Sequence, residues 1–218
     1  MSSDNNINSN NNEIKHNNIP IINNSVRDNL NLIVACDSKY GISKNNSIPW
    51  KIKEDMKYFN SITTGESNNP NVVIYGKNTW FSLKSLSLKN RINIILSSTI
   101  NKNLIEDPVC TKNIFFSKNL ENALNNIEKG VYGKINEVFI CGGKRLYEEC
   151  ISENLIKTFY INKIDYDYNC DIFLDKDLMD KCLQKCNKPE FYEFRDVSIQ
   201  NNQNQRIVKV NFYNNIIQ

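Results

Sequence analysis

The sequence predicts a single α/β domain: a central, mostly parallel sheet of eight strands, about four flanking helices and a C-terminal antiparallel hairpin. Three observations carry that expectation. Short continuous apolar runs, "LNLIVAC" (30–36), "NVVIYG" (71–76), "INIILSS" (92–98) and "EVFIC" (137–141), read as covered strands. Helix-like segments alternate with them, the order of βαβ units. Near the end, "FYEFRDVS" and "RIVKVNFY" flank the polar turn "IQNNQNQ" and read as a hairpin.

The elements follow in order. Residues 1–29 are dominated by Asn and Ser and are expected to be a disordered tail, leaving 30–218 as the domain. After the first strand comes the loop "DSKYGISKNNSIPW", then a helix over 52–62. The strand 71–76 leads into a short helix at "KNTWFSL" and on to the strand 92–98. "NIFF" (113–116) is a short strand, "NLENALNNIEK" (119–129) a helix, and Gly142-Gly143 separates the strand 137–141 from the helix "KRLYEECI". "TFYINKI" (158–164) is the last strand before the hairpin. The 218 residues suffice for one sizeable core plus a tail and are short for two full domains. No internal repeat is visible.

Bulk properties exclude several classes. Twenty-seven basic against 24 acidic residues give a net charge of +3, with lysines scattered among acids, so nucleic acid is not an expected partner. No apolar run is long enough to span a bilayer, and the N-terminus resembles neither a secretory nor an organellar leader. Seven cysteines without a C-x-x-C pair, several in apolar strands, fit buried free thiols in a reducing, cytoplasmic compartment. The single histidine, His16, lies in the tail, which argues against histidine catalysis in the core.

The helix 52–62 poses the sharpest question. At 100° per residue Ile52, Met56, Phe59 and Ile62 form one stripe, and Asp55 falls inside it, whereas Glu54 points away with Lys53 and Lys57. A carboxylate on a face meant for burial needs a partner or a purpose. One purpose is to accept two parallel hydrogen bonds from an amidine-like N–C–N edge; a core arginine or a loop cap is the structural alternative.

Glycine is scarce, with seven in total, yet "YGKNTW" and "CGGKRLY" both place it between a strand and a helix. Each is by itself compatible with a plain tight turn; together they suit a dinucleotide lying across the carboxyl ends of the strands. "DYDYNCD" (165–171) spaces acids like an EF-hand loop, but Cys170 replaces the turn glycine and Lys176 the closing glutamate, so it reads as a solvated edge. Cys182 and Cys186 are at helical i, i+4 spacing without further ligands, and zinc is not expected.

Taken in order, "LIVA", "GI", "IPW" with an acid five residues past the Trp and Phe four further on, "YGKNTWFSL", "LKNRINIILSS", "FICGGKRLYEE" and "CDIF" resemble the dihydrofolate reductase family over about Leu30–Tyr213. The resemblance implies NADPH-dependent reduction of 7,8-dihydrofolate to tetrahydrofolate in one-carbon metabolism. Hydride would go to C6, with protonation of N5 promoted by Asp55. Trp50 would hold an ordered water near that acid. Ile33, Val34, Ala35, Met56, Phe59, Leu88 and Cys141 would line the pterin and benzoyl pocket with Tyr147 nearby, and Arg91 would grip the glutamate α-carboxylate. For the cofactor the matching positions are Ala35, Gly41, Ile42, Gly76, Lys77, Asn78, Thr79, Leu96, Ser97, Ser98, Lys118, Gly142, Gly143, Lys144, Arg145 and Leu146. Lys77, Ser97 and Lys118 would neighbour the adenosine 2′-phosphate, and the Gly142–Gly143 peptide is expected to be cis.

The resemblance further implies a monomer that binds dihydrofolate and antifolate inhibitors, with residues 37–49 as a lid over the nicotinamide. "EDMKYF" is closest to the protist enzymes fused to thymidylate synthase; no synthase is expected after Tyr213. Four positions depart from the family pattern. Asn162 stands for the usual Thr beside the acid, Ser43 and Asn90 for glycines, and Cys141 for a branched apolar residue. Two rival readings stand beside it. A related-fold reductase of a riboflavin-pathway pyrimidine would lack the Trp50–Asp55–Phe59 set with Arg91. A silent binding module would lose Asp55 or the glycine pair.

Overall fold

The computed structural model describes residues 25–65, 68–83, 87–99, 113–201 and 204–215; His16, Cys110 and most of the Asn-rich tail lie outside them. Eight strands form one sheet in the order β5-β4-β3-β6-β1-β7-β10-β9. These are β1 (Leu30–Cys36), β3 (Asn71–Gly76), β4 (Arg91–Leu96), β5 (Ile114–Ser117), β6 (Val138–Ile140), β7 (Ile156–Ile164), β9 (Glu190–Asn201) and β10 (Asn204–Asn214). The first six run parallel; β10 pairs antiparallel with β7 and β9 with β10. A separate two-stranded pairing joins β2 (Gly41–Ser43) to β8 (Ile172–Phe173). The predicted sheet and hairpin are therefore present.

Among the described residues five α-helices flank it: α1 (Lys53–Thr63), α2 (Lys77–Ser82), α3 (Leu120–Glu128), α4 (Lys144–Ser152) and α5 (Lys176–Lys185). The sequence reading missed α5. Its signals are an Asp175 N-cap accepting from the Leu178 N–H, and Met179 and Cys182 buried on one face. A 3-10 turn, Val26–Asn29, precedes β1, and Arg27 pairs with Glu121 on α3 at 2.7 Å. The last residues assigned to the tail thus pack on the domain.

Alternation along β1 explains the two-sided core. Leu30, Leu32, Val34 and Cys36 face the layer made by α3, α4 and α5, burying Leu124, Leu146 and Met179. Ile33 faces the opposite layer with Val73, Tyr75, Ile95 and Phe139, against Trp80 of α2 and Phe59 and Ile62 of α1. Each fully buried aliphatic side chain contributes about 1.5–3 kcal/mol. A third cluster, including Trp50, Ile52, Tyr168, Val208 and Val210, closes the core beneath the hairpin.

Asparagine takes over turn positions in this glycine-poor chain. Asn45, Asn46, Asn90, Asn113, Asn154 and Asn169 all adopt positive φ, as Tyr40 does at 66°. Asn pays less than most residues for this conformation, because its short amide bonds locally. The sheet places β6 on one side of β1 and β7 on the other. The loops leaving β1, β3, β4, β5 and β6 all emerge at the carboxyl edge, where such sheets open a crevice.

Candidate active site

A cleft of about 1470 Å³ runs along that edge. At its centre, Asp55 in the first turn of α1 is 8% exposed. Both of its oxygens are held: Asn162 on β7 donates Nδ2–H to Oδ1 at 2.8 Å, and Trp50 donates Nε1–H to Oδ2 at 3.1 Å. Burial raises the Asp55 pKa above its ordinary 3.8, and the Asn162 and Trp50 hydrogen bonds oppose the rise. The helix-face argument is met: Asp55 lines the cleft, and Glu54 does not. The Asn162 carbonyl oxygen is buried with no hydrogen-bond partner among the described residues, and Asn162 lines the same cleft.

Around this centre the cleft collects Ile33, Val34, Ala35, Met56, Phe59, Leu88, Cys141 and Tyr147. Tyr147 is fixed from below, its hydroxyl donating to the Ile33 carbonyl at 2.8 Å. Met56 belongs to the predicted buried stripe, but it is 50% exposed because its edge of that stripe turns to the cleft, which exposed Ile48 also lines. Cys141 is half-buried, and burial pushes its thiol pKa well up, so it lines the wall as a neutral group.

Along the other arm lie Ile42, Gly76, Lys77, Asn78, Thr79, Leu96, Ser97, Ser98, Lys118, Gly142, Gly143, Lys144, Arg145 and Leu146. The Gly142–Gly143 peptide is cis, and the Gly76 N–H donates to the Gly142 carbonyl at 2.8 Å, tying the two strand ends together. The N-terminus of α4 opens directly from this pair. At the far end Lys77 Nζ donates to Thr99 Oγ1 at 3.2 Å, and Thr99 also meets Ser97.

Two predicted residues lie outside the lining. Gly41 is buried behind it, against Asp37 and Cys170. Arg91, 5% exposed, sits under Phe59 with its guanidinium 5.8 Å from the ring. It donates to the oxygens of Thr63 at 2.6 Å, Asn60 at 3.1 Å and the Lys89 carbonyl at 3.0 Å. Burial lowers its pKa. Sequence reasoning missed Thr99, Ser47, Ile48 and Phe173 on the cleft. It also missed the tie from the Asn45 N–H to Asp171 at 2.7 Å, which fastens the first loop to the β7–β8 connection. That carboxylate belongs to the quoted "CDIF". Among the described residues no cluster of His, Cys, Asp and Glu is suited to a metal ion, and no helix is long and apolar enough to cross a membrane.

Comparison with known proteins adds independent support. The family model for dihydrofolate reductase matches residues 29–207. A viral dihydrofolate reductase of Saimiriine herpesvirus 2 is 37% identical over 66% of this chain and 67% of its own length. Dihydrofolate reductases of Mus musculus and Schistosoma mansoni are 36% and 33% identical, covering 66% and 74% of this chain and 77% and 85% of theirs. With its sheet order, its buried acid between Trp50 and Asn162, and this extended match, the chain belongs to the dihydrofolate reductase family.

Proposed function

We propose that this chain reduces 7,8-dihydrofolate to 5,6,7,8-tetrahydrofolate with NADPH, and that the cleft described above is where it does so. The observation that carries the reading is Asp55: a carboxylate buried in a mostly apolar cleft, gripped by two neutral donors and without a cation partner among the described residues. Such a group is costly unless a ligand completes it. A 2-aminopterin edge does so, presenting N–H donors to the carboxylate and leaving one for the unpartnered Asn162 oxygen.

The residues fit the cofactor as well. The cleft volume exceeds the usual 300–1,000 Å³ of a single small-ligand site, which accords with two ligands side by side. Gly76, Gly142 and Gly143 keep the floor free of side chains, and the α4 N-terminus beside them suits a pyrophosphate. Lys77, Lys118 and the Ser97–Thr99 hydroxyls give the far end the chemistry of a phosphomonoester site, which favours NADPH over NADH. When bound, NADPH supplies the hydride delivered to C6 of the pterin.

The chain's own part is positioning and protonation. Ala35 and Ile42 bound the reacting centre, and Phe59 and Leu88 exclude water beside it. Asp55 orients the pterin ring and favours the proton that N5 must gain as C6 receives hydride. Trp50 and Asn162 keep the carboxylate fixed while this happens. Arg91 lies buried outside the lining, and to grip a ligand carboxylate it would exchange its neutral partners for a charged one. The test is the loss of 340 nm absorbance when purified protein meets NADPH and dihydrofolate together. Oxidation that needs both ligands and collapses in Asp55→Asn supports the reading; no oxidation by the wild-type chain rejects it.

A further inference from the structure

The first loop is held at both ends by buried carboxylates, and one residue touches both. At its start, Asp37 is fully buried; its Oδ1 accepts from the N–H groups of Lys39 at 2.9 Å and Gly41 at 2.7 Å, and its Oδ2 from the Tyr168 N–H at 3.2 Å. At its end, Asp196 of β9 is also fully buried, and its Oδ1 accepts from the Lys51 N–H at 3.0 Å. Ser198 adds its N–H and hydroxyl to the same oxygen, both at 2.7 Å. The other oxygen, Oδ2, accepts the Tyr168 hydroxyl in a short hydrogen bond.

Lys51 follows Trp50 directly. The Trp50 indole rests against the Tyr168 ring, with centroids 5.3 Å apart, and donates to Asp55. Tyr168 and Asp196 lie off the cleft, so neither touches a ligand. Asp196 has no cation partner among the described residues, and two buried carboxylates are an expensive way to hold a loop. Burial pushes the Asp196 pKa up, but the donors from Ser198, Tyr168 and Lys51 outweigh it, so the group is held ionised as a fixed acceptor.

We propose that Tyr168 and Asp196 are positioning residues that hold the Trp50–Lys51 peptide so that the indole N–H stays on Asp55. This inference rests on the function proposed above. Its mechanism is geometric: the Lys51 amide is anchored to β9, the indole is backed by the Tyr168 ring, and Tyr168 is held at both its amide and its hydroxyl. Losing the hydroxyl leaves Asp196 Oδ2 without its donor and loosens the anchor, while every ligand contact in the cleft remains.

The test measures single-turnover reduction with NADPH and dihydrofolate saturating, and NADPH affinity by calorimetry, well below the melting temperature. Tyr168→Phe and Asp196→Ala are expected to slow the turnover step by about threefold to tenfold, the size of one hydrogen bond's effect, with NADPH affinity unchanged. Asp196→Asn retains an acceptor oxygen for Lys51 and offers an amide N–H to the Tyr168 oxygen, so it is expected to stay within about twofold of wild type. In a Trp50→Phe background, Tyr168→Phe is expected to add nothing further.

Unchanged turnover in folded Tyr168→Phe overturns the proposal, as does a full additional loss on top of Trp50→Phe. Should Tyr168→Phe not fold, equal turnover in Asp196→Ala and Asp196→Asn overturns it instead. A wild-type chain that does not oxidise NADPH with dihydrofolate rejects the function reading; a working wild type with unaffected variants rejects only the positioning role.

Discussion

Asn162, on the cleft wall, donates one N–H to Asp55 at 2.8 Å and keeps its own carbonyl oxygen buried, with no partner among the described residues. A threonine hydroxyl at this position has a single group to offer; the amide carries donor and acceptor on separate atoms, its nitrogen toward the acid and its oxygen left without a partner among the described residues. Asn162→Leu removes both while nearly conserving volume. The Asn162 bond lowers the Asp55 pKa, so its loss raises that pKa further. We expect kcat/KM for dihydrofolate to fall about tenfold and the carboxyl limb of the pH profile to move to higher pH. NADPH affinity should not change. A limb that stays in place would refute the assigned hydrogen bond.

The two adjacent acids of α1 should behave as unequals. Asp55 lines the cleft and Glu54 does not, although both lie in the helix's first turn. Asp55→Asn is expected to reduce turnover at neutral pH by about a hundredfold or more, and Glu54→Gln by less than about twofold. Steady-state assays of the two variants side by side decide the matter, and equal losses contradict the helix-face argument.

Asp55 should also limit the stability of the ligand-free protein. Its folded pKa is raised above the ordinary 3.8, chiefly by burial, so folding favours the protonated form. That contribution is fully present below about pH 3.8 and is lost as pH rises through the folded value. Asp55→Asn removes the buried charge and lets Asn162 turn its free oxygen toward the new amide. We expect a higher melting temperature than wild type at pH 7 and little difference near pH 3. Thermal denaturation followed by circular dichroism at both pH values tests the sign.

The same physics shows what was legible in the sequence. Asp55 stood out because an acid on a 3.6-period apolar stripe violates the pattern, and the β1, β3 and β4 runs were long enough to read. Asp196 carries the equivalent signal at period two, on the inward parity of Phe194 and Ser198, but "FYEFRDVS" mixes aromatic and charged residues on both faces and hides it. The Asp37–Tyr168 and Tyr168–Asp196 contacts were not legible, since they span 131 and 28 residues and follow no local period. The β2–β8 pairing spans three and two residues, too few for any periodicity. Helix α5 is marked in the sequence by its Asp175 cap and its Met179–Cys182 spacing, but with only those two residues buried its apolar face is too narrow to stand out.

The far end of the cleft predicts cofactor preference. Lys77 and Lys118 both line this arm, and among the described residues Lys77 donates to the Thr99 hydroxyl and forms no ion pair. A phosphomonoester would receive charge-assisted hydrogen bonds from both. The Lys77→Ala, Lys118→Ala pair is expected to weaken NADPH binding by roughly ten- to hundredfold while leaving NADH binding nearly unchanged. Titration of each dinucleotide at low and moderate salt checks this; a parallel loss for both would place the phosphate elsewhere.

Two glycines should separate folding from binding. A Cβ on Gly41 would lie 2.5 Å from Cys170 Cβ, 2.6 Å from its Sγ and 2.9 Å from Asp37 Oδ2, inside a packed region that also holds the loop. Gly41→Ala therefore forces the β2–β8 contact apart, and overpacking of this kind costs about 1–3 kcal/mol. On Gly76 a Cβ would meet nothing nearer than 3.9 Å, and its φ of −75° suits alanine. Gly76→Ala should melt with wild type, yet its methyl would stand on the strip of the cleft where the dinucleotide backbone is expected to run closest. We expect a lowered melting temperature for the first variant and weakened NADPH binding without thermal loss for the second. If Gly76→Ala binds NADPH as wild type does, the dinucleotide does not pass over the β3 end, and its proposed path along Gly142–Gly143 would have to move as well.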